Sequence, residues 1–104
     1  MTIVLKGRGG GSSGSIVGAV GVLGNMQDGD VLVAHETSPN HITDMHRAGA
    51  VVTDIGGPVS HAAVVCTGMG IPFVVGTGNA TELLKAGMFV EVNPVDGTVT
   101  VLEN

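Results

Sequence analysis

The chain has 104 residues, 18 of them glycine, and a formal net charge of −5 at pH 7. This length allows one domain with one core. A composition that is 43% hydrophobic and only 12% charged is unlike that of disordered chains. Four Lys and Arg residues against nine acidic ones cannot build a basic patch, which argues against binding to nucleic acids or anionic membranes.

The compartment is indicated by what the chain lacks. Its single cysteine, Cys66, excludes an intramolecular disulfide framework. No charged start followed by an apolar run marks a signal peptide. The longest stretch of small apolar residues, 16–24, is too short to span a bilayer. We therefore expect a cytoplasmic protein.

The first half of the chain alternates apolar runs with glycine-rich segments. Residues 7–14, with the sequence GRGGGSSG, are a loop by composition, and residues 28–30 are a turn. Ser38 and Pro39 are typical of the start of a short helix, which Gly49 ends. The β-branched and apolar runs predict strands over residues 2–5, 15–23 and 31–34.

The second half repeats this pattern around a longer helix. Ser60 is the predicted N-cap of a helix over residues 61 to about 68. Asn79 caps a third helix, with Glu82 returning the hydrogen bond to the cap and Gly87 following the helix end. Strands are predicted over residues 50–53 and 73–75, and a hairpin over 88–92 and 98–102 with its turn at 94–97.

The order of these elements predicts an α/β fold in a single domain over residues 1–104. The chain has more sheet than one layer of three short helices can cover. We therefore expect two sheet layers and one helical layer, a β/β/α arrangement.

His61 carries the functional interpretation. A strand ends at Thr53, a loop with Gly56 and Gly57 follows, and a helix opens at His61. A helix N-terminus presents unpaired N–H groups and the positive end of a dipole, which stabilise phosphate and disfavour an imidazolium. We therefore expect a neutral, nucleophilic His61 that accepts a phosphoryl group, with Ser60 and Thr53 orienting the ring or bonding the phosphate.

The segment 53–76, TDIGGPVSHAAVVCTGMGIPFVVG, resembles the phosphohistidine domain of the phosphoenolpyruvate-utilising enzymes. This mobile or swivelling domain occurs in pyruvate phosphate dikinase, phosphoenolpyruvate synthase and enzyme I of the sugar phosphotransferase system. Its signature is a Gly-Gly pair, two variable residues, then Ser/Cys-His-Ala-Ala. Residues 33–39 (VAHETSP), 70–87 and, less closely, 12–18 are also similar to the family.

The resemblance implies a swivelling β/β/α domain whose His61 carries a phosphoryl group between two sites. One site belongs to an ATP-grasp-type nucleotide-binding protein, and the other to a barrel that binds pyruvate and phosphoenolpyruvate. Both partners would act in trans, because this chain contains neither region, and the expected Mg²⁺ would be bound by them and not by this chain. Thr53 and Ser60 fall on family positions near the phosphohistidine, and the expected phosphate-binding backbone lies at Gly56, Gly57, Ala62 and Ala63.

Three departures from the family leave a second interpretation open. Ile55 replaces an Arg before the Gly-Gly pair, Ala34 and His35 stand where the dikinase has another Arg, and Cys66-Thr67 replace an Ala-Arg pair. Arg is the usual bidentate partner of phosphate. The alternative is a non-catalytic interaction or regulatory module of the same fold, like the C-terminal extension of some pyruvate kinases.

No metal site is expected in this chain. His41 and His46 are five residues apart, as are His61 and Cys66, which places each pair about 140° apart around a helix. The usual ligand spacings of zinc sites are absent. Cys66 is expected to be a buried, inert thiol, and Asp54 a solvated acid of its loop.

Overall fold

A computed structural model describes residues 2–103; Met1 and Asn104 of the predicted domain lie outside the described residues. Within this range the chain forms three α-helices: α1 (Ile42–Arg47, preceded by a 3-10 turn over Pro39–His41), α2 (His61–Met69) and α3 (Ala80–Leu83). It also forms eight strands: β1 (Val4–Lys6), β2 (Arg8–Gly10), β3 (Ile16–Gly21), β4 (Val31–Ala34), β5 (Ala50–Thr53), β6 (Phe73–Val75), β7 (Phe89–Asn93) and β8 (Thr98–Glu103).

The strands pair in the order β1-β8-β7-β3-β4-β5-β6-β2. We call β1, β8, β7 and the first part of β3 the outer sheet, which is antiparallel. The central sheet comprises the end of β3, the parallel strands β4, β5 and β6, and the antiparallel edge strand β2. Strand β3 belongs to both sheets, because Ile16 to Ala19 pair with β7 whereas Val20 and Gly21 pair with β4.

The central sheet is the middle of three layers, because its side chains alternate between two cores. One core lies between the two sheets and contains Val31, Val33, Val52, Val74, Val90 and Val99. The other lies under α1 and α2 and contains Leu32, Met45, Val51, Ala63, Cys66 and Val75. The predicted β/β/α architecture is therefore confirmed.

Helix α3 departs from the predicted helical layer. Ala80 and Leu84 pack in the core between the two sheets, not in the core under α1 and α2. Asn79 occupies the N-cap position as predicted, but its side chain makes no capping hydrogen bond, and the Ala80 amide donates instead to the Thr77 hydroxyl at 3.2 Å. Gly87 lies beyond the helix end, which is at Leu83.

Part of the predicted glycine-rich loop is a strand. Arg8 to Gly10 form β2 and pair with Val75 to Phe73 of β6. Strands β4, β5 and β6 have the predicted bounds, whereas β1 at Val4–Lys6 and β3 at Ile16–Gly21 have shifted ends. Helix α2 begins at His61 as predicted and ends at Met69.

Candidate functional site

The C-terminal edge of the central sheet holds an open pocket of about 170 Å³. Strands β4 and β5 end side by side at this edge, and the chain leaving each of them forms the pocket walls. The lining residues are Glu36, Thr37, Ile55, Gly56, Ser60, His61 and Ala62. The structure thus brings His61, Ser60, Gly56 and Ala62 of the predicted site residues into one pocket.

The loop after β5 is shaped so that His61 opens helix α2. Ser60 is the N-cap: its hydroxyl accepts from the Ala63 amide at 3.3 Å and donates to the Gly57 carbonyl at 2.8 Å. Gly56 has φ +127°, and a Cβ there would lie 3.0 Å from the Ser60 hydroxyl oxygen. Only glycine adopts this backbone without strain, so Gly56 allows the tight turn that sets His61 at the helix start.

Thr37, which the sequence analysis did not select, holds the ring of His61. Its hydroxyl oxygen lies 2.9 Å from Nδ1 of His61, and the Thr37 residue is only 6% exposed. Among the described residues Nε2 of His61 makes no hydrogen bond. The ring is therefore fixed through one nitrogen, while the other is open to the pocket.

Thr53 and Ser60 use their hydroxyl groups within the loop. The buried hydroxyl of Thr53 donates to the Ile55 carbonyl at 2.8 Å, and its own carbonyl accepts from the Thr77 hydroxyl at 3.0 Å. Since the Ser60 hydroxyl caps α2, neither side chain hydrogen-bonds to His61. The Ala63 amide is engaged by Ser60, whereas the first amides of the helix, at His61 and Ala62, lack intrahelical partners.

Asp54 is buried and not the solvated loop acid that was expected. Its carboxylate accepts hydrogen bonds from the amide and the hydroxyl of Thr81 and lies 3.1 Å from Nδ1 of His35. Burial by itself raises the pKa of Asp54, but the hydrogen bonds from Thr81 and the contact with His35 outweigh it and lower that pKa below its ordinary value. Asp54 therefore ties α3 to the ends of β4 and β5.

The pocket carries no fixed positive charge, since its only ionisable lining residues are Glu36 and His61. Cys66 lies in the core under α2, where burial raises the pKa of its thiol to about 12. Ile55, Val59 and Val64 expose 45%, 87% and 57% of their surface around the start of α2. We call these three exposed apolar residues, which lie within six positions of His61, the apolar rim.

None of the helices within residues 2–103 has the length and apolar character needed to cross a bilayer. A family model described as "PEP-utilising enzyme, mobile domain" matches residues 26–97. Phosphoenolpyruvate synthase of Pyrococcus furiosus is 45% identical over 103 residues, covering 93% of this chain and 12% of that protein. The synthase of Aeropyrum pernix is 51% identical over 74 residues, covering 71% of this chain and 9% of the relative.

The chain therefore spans only about a tenth of the length of these curated relatives. A solution structure of Enzyme I superposes with a TM-score of 0.66 and 32% identity, covering 79% of this chain and 34% of that chain. Aconitase X of Thermococcus kodakaraensis has a TM-score of 0.68 at 21% identity, over 97% of this chain and 99% of that one, and shows the fold alone. With the family match and the synthase relatives, the chain belongs to the mobile domains of the phosphoenolpyruvate-utilising enzymes.

Proposed function

We propose that this chain is a phosphoryl carrier of a phosphoenolpyruvate-utilising phosphotransfer system, with Nε2 of His61 as the acceptor atom. The observation that carries this proposal is the setting of the ring. His61 stands at the start of α2 in an open pocket, with Nδ1 hydrogen-bonded to Thr37 and Nε2 free among the described residues. A hydroxyl that accepts the Nδ1 proton selects the tautomer whose lone pair is on Nε2.

The nucleophile of the transfer step is that lone pair. Nε2 of His61 forms a bond to phosphorus, and the bond from phosphorus to the donor's bridging oxygen breaks, with its electron pair leaving on that oxygen. In the proposed tautomer the proton stays on Nδ1, which donates it to the Thr37 hydroxyl 2.9 Å away. In the second half-reaction an acceptor oxygen attacks phosphorus, and Nε2 recovers its lone pair.

The start of α2 stabilises the phosphoryl group after transfer. The amides of His61 and Ala62 have no intrahelical partners, and the helix dipole favours an anion at this end. Gly56 and Gly57 let the loop backbone approach the group without side chains intervening. The Ala63 amide contributes less directly, because it already donates to the Ser60 hydroxyl.

The donor and acceptor are proposed to be separate partners: an ATP-grasp-type nucleotide-binding protein and a barrel protein that binds pyruvate and phosphoenolpyruvate. The apolar rim of Ile55, Val59 and Val64 supports docking, because it lies near His61 in sequence and is exposed among the described residues. Glu36 is the only carboxylate of the pocket, so this chain offers Mg²⁺ a single carboxylate beside the phosphate oxygens. We propose that the partners supply further ligands and hold the ion that offsets the phosphate charge.

A second candidate function is a non-catalytic interaction module that keeps the fold and the rim. The observation that favours it is the lack of any Lys or Arg among the pocket residues. The two candidates differ in one measurable property, the ability of His61 to take up a phosphoryl group.

The test is phosphorylation of the purified chain. It is incubated with ATP or phosphoenolpyruvate, Mg²⁺ and extract of its source organism, and in parallel with phosphoramidate, which transfers a phosphoryl group and releases ammonia. Intact mass spectrometry then detects an acid-labile, base-stable phosphoryl group. We expect it on the wild type and not on His61→Ala; a folded wild type that stays unlabelled with every donor would leave the interaction module as the function.

A further inference from the structure

The pocket around His61 poses a charge problem that the rest of the chain can answer. A phosphoryl group brings negative charge into a pocket whose only charged side chain is Glu36. Of the four fixed cations, Arg47 is bound to the Met26 carbonyl and Asp28, Lys85 donates to the Thr81 carbonyl, and Lys6 lies on β1 of the outer sheet. Arg8 is exposed and makes no hydrogen bond or ion pair with any described residue.

Arg8 lies at the same edge of the central sheet as the pocket. Strand β2 runs antiparallel to β6, and Arg8 is opposite Val75, the last residue of β6. Since β4, β5 and β6 are parallel, Val75 ends at the edge where the chain after β5 turns toward His61. The first residue of β2 is therefore brought to the carboxyl ends of the parallel strands.

The side chain of Arg8 projects on the face that α2 covers. Directly opposite residues of an antiparallel pair point to one face, and Val75 packs in the core under α2. Gly10, two residues along β2, faces the same way, because a Cβ on it would lie 2.7 Å from the ring tip of Phe73 in that core. Alternation along the strand then places Arg8 beside α2 and not toward the outer sheet.

A chain of close neighbours joins Arg8 to the pocket. A Cβ on Gly56 would lie 3.6 Å from Cβ of Val75, so the residue opposite Arg8 touches the loop that lines the pocket. The orientation of the His61 ring also favours the side of the pocket on which β6 and β2 lie. Its Nδ1 faces Thr37, which follows β4, whereas Nε2 is turned away from Thr37, and β6 and β2 lie on the other side of β5 from β4.

We propose that Arg8 binds the phosphoryl group carried by His61, as the cation that the pocket itself lacks. This inference rests on the proposed function and deepens it. A guanidinium donates two parallel hydrogen bonds to phosphate oxygens. Arg8 lies outside residues 26–97, which the family model matches. From strand β2 it supplies the positive charge that Arg residues of the family provide at the positions of Ile55 and of Ala34 and His35.

The competing role for an exposed Arg on an edge strand is to prevent pairing with another sheet. Arg8→Gln removes both the charge and the forked donor, and Arg8→Lys keeps the charge alone. Lys6→Gln is the matched control, because Lys6 is also exposed but belongs to β1 of the outer sheet. Circular dichroism establishes that each variant is folded.

Two measurements decide between the roles. In the first, inorganic phosphate is titrated into isotope-labelled protein while the amide signals of Gly56 and Ala62 are followed by NMR. We expect Arg8→Gln to weaken phosphate binding about fivefold, Arg8→Lys to weaken it less, and Lys6→Gln to leave it unchanged. In the second, phosphorus NMR measures the pKa of the phosphoryl group on His61 after reaction with phosphoramidate. We expect this pKa to rise in Arg8→Gln, because a nearby cation favours the doubly charged phosphoryl group.

The outcomes separate this inference from the proposed function. If the wild type binds no phosphate at these amides, or if Arg8→Gln equals the wild type in phosphate binding and in phosphoryl pKa, Arg8 only protects the strand edge. If phosphate binding depends on Arg8 but no donor phosphorylates His61, the anion site stands and the carrier function fails. If His61 is phosphorylated but neither phosphate binding nor the phosphoryl pKa depends on Arg8, the carrier function stands and the inference about Arg8 fails.

Discussion

Thr37 holds one nitrogen of the His61 ring, Nδ1, through a contact between residues so far apart in sequence that no local pattern reveals it. The two residues are 24 positions apart and meet at 2.9 Å because β4 and β5 end side by side. Thr37 lies within the VAHETSP segment that resembles the family. Its hydroxyl, in an almost fully buried residue, has one evident task, which is to hold Nδ1.

Thr37→Val removes that hydroxyl and keeps the shape of the side chain. We expect phosphorylation of His61 by phosphoramidate to slow by about three- to tenfold, as for the loss of one hydrogen bond, whereas Thr37→Ser stays near the wild-type rate. NMR of the ring nitrogens checks the cause, because the valine variant should lose its preference for the tautomer protonated on Nδ1. An unchanged rate with an unchanged tautomer would show that Thr37 only packs.

Cys66 gives a second prediction at a single residue. It is 0% exposed, and burial raises the pKa of its thiol to about 12, so the reactive thiolate is absent at neutral pH. We expect iodoacetamide to leave the folded protein unmodified at pH 8 and to alkylate it fully in denaturant. Mass spectrometry counts the adducts, and rapid labelling of the folded chain would mean that the core under α2 opens readily.

Among the elements, those formed by local signals were predicted and those formed by distant contacts were not. The buried strands β4 and β5 are continuous apolar runs, and α2 has Ser60 as its cap, so both follow from neighbouring residues. Strand β2 has no strand propensity. It forms by pairing with the edge of β6. A Cβ at Gly9 would lie only 2.0 Å from the Pro94 carbonyl oxygen, so only glycine fits at this position of the strand.

Asp54 ties helix α3 to the end of β5 through its hydrogen bonds from Thr81, which gives a pH-dependent prediction. The pKa of Asp54 is lower in the folded chain than its ordinary 3.8, so its contribution to stability is complete above that value. The contribution is lost as the pH falls through the lowered, folded-state pKa. Asp54→Asn should therefore lower the free energy of unfolding by about 1–2 kcal/mol at pH 7, and the gap should close in acid.

Urea unfolding at pH 7 and at successively lower pH measures that gap. Asp28→Asn is the control, because the Asp28 carboxylate is 89% exposed and its contact with Arg47 spans 3.8 Å. We expect the control to match the wild type at every pH. A deficit in Asp54→Asn that persists unchanged in acid would mean that the substitution acts through packing and not through the charge.

At the scale of the whole molecule, the two cores share one set of strands. The residues of β5 alternate between them: Val51 packs under α1 and α2, and Val52 packs between the sheets. Strand β3 also continues from the outer into the central sheet. Since both cores are built on the central sheet, we expect the loss of either core to destabilise the sheet and the site at its edge.

This coupling predicts one cooperative unfolding transition, which two matched variants test. Val51 and Val52 are both 0% exposed, so Val51→Ala and Val52→Ala remove the same atoms from different cores. Each should lower the free energy of unfolding by about 2 kcal/mol. The amide signals of α2 and of the outer sheet should lose intensity at the same urea concentration within each variant. If Val52→Ala released the outer sheet while α2 stayed folded, the cores would be independent, and the pocket at His61 would be insulated from the outer sheet.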